Sequence, residues 1–131
     1  MVSSVDPFLM FEGSAETAMS FYVSVFPDSR IEAITRYGPD GPGAEGTVIH
    51  AKFVVAGRAI QCSDSPMPHP FSFTPSMSLF VTCESAEEIE RLSAALANGG
   101  EVLMPLDDYG FSRKFAWLND KFGVSWQLNL A

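Results

Sequence analysis

Ser14-Ala15-Glu16-Thr17-Ala18-Met19-Ser20-Phe21-Tyr22-Val23-Ser24-Val25-Phe26 decides the reading of this chain, because a second stretch echoes it: Ser85-Ala86-Glu87-Glu88-Ile89-Glu90-Arg91-Leu92-Ser93-Ala94-Ala95-Leu96-Ala97-Asn98. In the first, apolar residues recur at Ala18, Phe21, Tyr22, Val25 and Phe26, the i, i+3, i+4, i+7 spacing of one helix face. Ser14 is placed to cap that helix, Glu16 suits the positive end of its dipole, and Pro27 stops it. In the second, Ser85 and Glu88 form a capping box, and Gly99-Gly100 supplies a left-handed helix end. The two serines lie 71 positions apart (85 − 14). At that offset Ala18 meets Ile89, Phe21 meets Leu92 and Val25 meets Leu96, so the buried stripes superpose.

Working outward, each helix follows a short strand, Phe8–Phe11 in the first half and Met77–Thr82 in the second. Three strand-like runs follow each. They are Ile31–Tyr37, Thr47–Val55 and Arg58–Ser63, then Glu101–Leu106, Arg113–Leu118 and Val124–Leu130. Both halves close on a glycine with a glutamine four residues later, Gly57 to Gln61 and Gly123 to Gln127. The Gly/Pro-rich loop from Gly38 to Gly43 accounts for the longer first half. The expected fold class is α+β, two βαβββ modules at residues 1–64 and 76–131. Four prolines within residues 65–75 make the join an extended linker.

With 131 residues, 47% hydrophobic and 18% charged, the chain has globular composition and length enough for a core without staples. A net charge of −8 and no Lys/Arg stripe argue against nucleic acid and anionic membrane surfaces as partners. No apolar run approaches the ~20 residues of a membrane span, and residues 1–6 show no secretory pattern. Cys62 and Cys83 stand in apolar contexts and read as free thiols in a reducing cytoplasm. There is no Ser–His–Asp constellation, phosphate loop or zinc knuckle.

The duplicated order, with Phe8-Leu9-Met10-Phe11-Glu12-Gly13, Phe21-Tyr22, His50-Ala51, Phe53-Val54-Val55-Ala56-Gly57, Trp117-Leu118-Asn119-Asp120-Lys121-Phe122-Gly123 and Ser125-Trp126-Gln127, resembles the vicinal oxygen chelate (glyoxalase/bleomycin-resistance) superfamily, and within it the PhnB-like, 3-demethylubiquinone 3-methyltransferase-like group. The resemblance implies sheets curled into a cup and a homodimer. It also implies, for many enzymes of the superfamily, one divalent metal held from the first and last strands of each module. By register those positions are Pro7, Gln61, Ser78 and Gln127. Proline offers no side-chain donor, and serine and glutamine are weak neutral ligands, so no metal or other cofactor is expected. No Gly-rich strand–turn–helix is present to hold S-adenosylmethionine.

Strand alternation supplies an independent list of cup residues. Ile49, Ala51, Phe53 and Val55 form one core face; Val48, His50, Lys52 and Val54 face the other way. Ile60, Cys62, Met77, Leu79, Val81, Val124, Trp126, Leu128 and Leu130 are further core residues. In the opening strand Phe8 and Met10 are expected inside and Leu9 and Phe11 toward the cup. The expected ligand-binding set is His50, Lys52, Gln61, Ser78, Phe80, Trp117 and Gln127, with Asn129 beside them and Leu9 and Phe11 as apolar wall. His50 is the best catalytic candidate, as a general base; a structural histidine bonded across the sheet is the other reading. His69 reads as an exposed linker residue and Asp64 as a cap for the linker. The loop Tyr109–Arg113 is able to close over a ligand, and Arg113 to pair with an anion. Three functions remain open: a small-molecule binder in a cup without the usual metal; a metal-dependent lyase, isomerase or dioxygenase using Gln61, Gln127 and His50; and a non-catalytic structural or regulatory dimer.

Overall fold

A computed structural model describes all 131 residues, Met1–Ala131. The chain forms two compact units, Met1–His69 and Pro70–Ala131. In the first, β1 (Phe8–Phe11), α1 (Ala15–Val25), β2 (Arg30–Arg36), β3 (Val48–Val55) and β4 (Arg58–Asp64) build a sheet of order β1-β4-β3-β2. In the second, β5 (Leu79–Cys83), α2 (Ala86–Ala97), β6 (Glu101–Asp107), β7 (Lys114–Asn119) and β8 (Ser125–Leu130) repeat that order as β5-β8-β7-β6. Both sheets are mixed: the first strand of each runs parallel to the last, and the remaining pairs are antiparallel. The α+β class and the duplicated βαβββ plan are therefore present.

One helix covers one face of each sheet. α1 lies against β2, β3 and β4 and buries Ala15, Ala18, Met19, Tyr22 and Val25 over Ala51, Phe53, Ile60 and Cys62. α2 buries Ile89, Leu92 and Leu96 over Leu118, Trp126 and Leu128. Met19, rather than Phe21, completes the α1 stripe; Phe21 is half-buried.

The helix ends differ. Ser85 Oγ accepts from the Glu88 N–H at 3.1 Å, and Glu88 Oε1 accepts from the Glu84 N–H at 3.0 Å, so the box closes one residue outside the usual cap. Ser14 makes no side-chain cap. Its task falls to Asp64, at the end of β4, whose Oδ1 accepts from the Ala15 N–H at 3.0 Å and the Gly13 N–H at 2.8 Å, while Oδ2 accepts from the Val48 N–H at 2.9 Å. Asp64 thus caps α1, not the linker. Asp120 does comparable work in the β7–β8 turn. Its Oδ1 accepts from the Phe122 and Val124 N–H groups at 2.8 and 3.1 Å, and its Oδ2 from Trp126 Nε1 at 2.8 Å.

Three face assignments are corrected. Leu9 and Phe11 are core, 7% and 3% exposed, whereas Phe8 is 54% exposed. The register explains this. Leu9 pairs with core Cys62, and Phe8 with Gln61, on the face away from α1. Val48 is fully buried and Ile49 is exposed, because a bulge between the pairs Thr35–His50 and Arg36–Val48 inserts one residue and reverses the alternation. Met77 is 66% exposed, since β5 begins only at Leu79.

Both cysteines are buried and unpaired. Burial pushes the Cys62 thiol up to about 12, with the Asp64 charge acting in the same direction, and burial followed by the Glu88 charge pushes Cys83 up to about 11. A thiol raised on folding favours the folded state below its unfolded pKa of ~8.5, and that contribution disappears as pH climbs through the folded values. A thiol-titrating disulfide reagent at pH 8 is expected to find neither cysteine in native protein and both in urea. Rapid labelling of the native protein would contradict this burial.

Candidate functional site

The faces turned away from the helices carry the chemistry. In the first unit, the β1–β4–β3 row places Phe8, Gln61 and Lys52 side by side, with His50 diagonal to Gln61. His50 Nε2 meets Gln61 Oε1 at 2.7 Å. Gln61 Nε2 donates to Asp6 Oδ2 at 3.0 Å. The Phe8 ring stacks on the imidazole at 6.3 Å and 26°. Lys52 Nζ lies 3.8 Å from Glu32 Oε2, and Glu32 Oε1 also receives Arg30 at 2.7 Å. One carboxylate serves two cations, Arg30 and Lys52. His50, Lys52 and Gln61 are thus brought together, and Phe8 replaces Leu9 and Phe11 as their apolar wall.

In the second unit, β7, β8 and β5 align Trp117, Gln127 and Phe80 in one row. Phe80 is 59% exposed. Ser125, buried, holds the neighbouring groups: Trp117 Nε1 donates to its Oγ at 2.9 Å, and Ser78 Oγ pairs with the same atom at 2.9 Å. The indole is fixed in orientation while its ring remains half-exposed, as a stacking platform requires. Asn129 Oδ1 accepts from Ser112 Oγ at 2.6 Å. Tyr109 and Phe111 pack on Phe115, at 6.2 and 5.0 Å between ring centres, and Arg113 Nε donates to the Ala131 carbonyl at 2.6 Å. That loop is therefore seated on its own unit, and Arg113 is not free.

Pro7, Gln61, Ser78 and Gln127, the positions at which the resemblance implies metal ligands, do not suit a metal. Pro7 contributes its carbonyl to the Gln61 N–H at 3.0 Å. The Gln61 amide is engaged at both ends, the Ser78 hydroxyl is bonded to Ser125, and no three His, Cys, Asp or Glu side chains converge. Two clefts, of about 280 and 400 Å³, flank the start of α1 along Gly13, Thr47 and Asp64. The Asp64 carboxylate already satisfies that helix end. His69, expected to be exposed, is half-buried, and its Nε2 meets Ser65 Oγ at 2.7 Å.

Asp6, Phe8 and Ser125 were missed in the sequence. Asp6 lies outside every strand and helix, and Ser125 is indistinguishable by alternation from any other inward serine.

This fold is shared with a glyoxalase/bleomycin-resistance/dioxygenase domain from Frankia, at a TM-score of 0.68 and 16% identity, covering all of this chain and 93% of that one. A PhnB protein from Bacillus cereus is 57% identical with a TM-score of 0.96, over 98% of this chain and 100% of that one. Protein YjdN of Escherichia coli is 26% identical over 96% of this chain and 94% of its own. The family model described as 3-demethylubiquinone-9 3-methyltransferase matches residues 3–129. The chain belongs to that family, which the 57% identity to the PhnB protein also supports, and it shares the fold of the glyoxalase/bleomycin-resistance/dioxygenase domain. No helix is long and apolar enough to cross a membrane.

Proposed function

We propose that the chain binds a small organic ligand on the sheet faces turned away from its helices, without a resident metal. The observation that carries this reading is the exposed His50–Gln61 pair at 2.7 Å on a Phe8 floor beside Lys52. A few oriented polar groups on an apolar surface are what a small-molecule seat needs. Phe80, Trp117 and Gln127 offer the same combination on the second sheet. Two unpaired buried thiols support a cytoplasmic setting, and the superfamily resemblance supports a homodimer, which light scattering on purified protein tests.

A thermal-shift screen against several hundred metabolites tests the binding. A ligand at a hundredfold over its Kd stabilises by about 2.7 kcal/mol, or roughly 10 °C in Tm. The gain is expected to shrink in Gln61→Ala, which removes the partner of His50. A screen without hits favours the non-catalytic dimer. Stoichiometric divalent metal in the purified protein, lost in a His50→Ala, Gln61→Ala variant, favours the metal-dependent enzyme.

A further inference from the structure

Asp6, Gln61 and His50 form one hydrogen-bonded line in the first unit, and its polarity follows from what each group is able to do. An ionised carboxylate only accepts, so Asp6 selects the NH2 of the Gln61 amide, at 3.0 Å. The amide oxygen is then turned to His50 Nε2, at 2.7 Å, and it too only accepts. In a neutral imidazole the proton therefore sits on Nε2, and Nδ1 keeps the lone pair. Nδ1 makes no hydrogen bond within the chain. The residue is exposed, its ring rests against Phe8, and Lys52 stands two residues along the same strand face, some ~7 Å away. Lys52 is held only loosely by a carboxylate that it shares with Arg30.

We propose that Asp6 and Gln61 are positioning residues that lock His50 as the Nε2–H tautomer, so that Nδ1 accepts a hydrogen bond from a small anion carrying an O–H donor while Lys52 meets its charge. The inference rests on the ligand-binding reading above and narrows it to a ligand class. Such a ligand presents a hydroxyl or enol and a carboxylate or comparable anion. The second-row partners matter because a flipped Gln61 amide would offer His50 a donor, move its proton to Nδ1 and leave no acceptor for the ligand.

Long-range proton–nitrogen NMR of the histidine side chains, on the full chain at about pH 8, where a free imidazole is neutral, reads the tautomer directly. His50 is expected as Nε2–H in the parent protein. In Asp6→Ala, which alters no helix or strand, the Nδ1–H form is expected to gain population. A side chain with a merely structural role would leave the tautomer unchanged. Nδ1–H in the parent, or an unchanged tautomer in Asp6→Ala, would overturn the relay whatever the protein binds. Titration with glycolate against acetate then tests the class: the His50 ring signals are expected to respond at several-fold lower glycolate, a preference lost in Asp6→Ala. Equal responses with the Nε2–H tautomer intact would overturn the ligand class alone. A failed metabolite screen with that tautomer intact would count against the binding reading and not against the relay.

Discussion

Asp64→Ala is expected to destabilise the first unit by about 4 kcal/mol, read as a fall in the urea midpoint at unchanged slope. The carboxylate is 3% exposed and accepts three backbone N–H groups from separate places: Gly13 and Ala15 at the start of α1, and Val48 at the start of β3. Removing it leaves three donors near or inside the core, each costing roughly 1–3 kcal/mol when unsatisfied, partly offset because a buried charge is removed with it. Asp64→Asn is expected to lose about half as much, since one amide oxygen still accepts while its NH2 confronts an N–H. Loss of less than about 1 kcal/mol in the alanine variant would show that β4 and α1 do not depend on this contact.

Gly100→Ala is expected to cost at least ~3 kcal/mol, well above its neighbour. A methyl group on Gly100 would run into the carbonyl oxygen of Asn119 and the backbone of Asp120. Those atoms belong to the turn that Asp120 pins through Phe122, Val124 and Trp126, so they have no cheap way to move. Gly99 has a positive φ of 78°, yet the added methyl would meet only the Lys121 side chain, at 3.4 Å. Gly99→Ala is expected to cost about 1–2 kcal/mol from backbone strain alone. Thermal unfolding of the two variants side by side checks the ranking; equal Tm values would contradict it.

Local periodicity carries the helices, because Ala18, Tyr22 and Val25, and Ile89, Leu92 and Leu96, lie one turn apart. It carries β4 and β8 for the same reason, where Ile60 and Cys62, and Trp126 and Leu128, alternate with Gln61 and Gln127. It fails where the signal is degenerate. Phe8-Leu9-Met10-Phe11 is apolar throughout, so only its parallel pairing with β4 reveals which side is core. It also fails where structure acts at long range. The Asp64 cap reaches back 49 residues to Ala15, and the bulge at Ile49 is visible only against β2. The candidate site shows the same division. His50, Lys52 and Gln61 share a face by parity alone, whereas Asp6 and Ser125 enter through side-chain hydrogen bonds that no spacing encodes.

An organic ligand, and no metal, is expected to engage the helix-averted sheet faces. Crystals of the purified protein soaked with a hit from the metabolite screen, recorded with an anomalous scan, test it most directly. Organic density is expected in contact with His50 and Lys52, with no anomalous peak at Gln61 or Gln127. A metal peak within bonding distance of either glutamine, or a ligand seated in the clefts beside Gly13 instead, would contradict it.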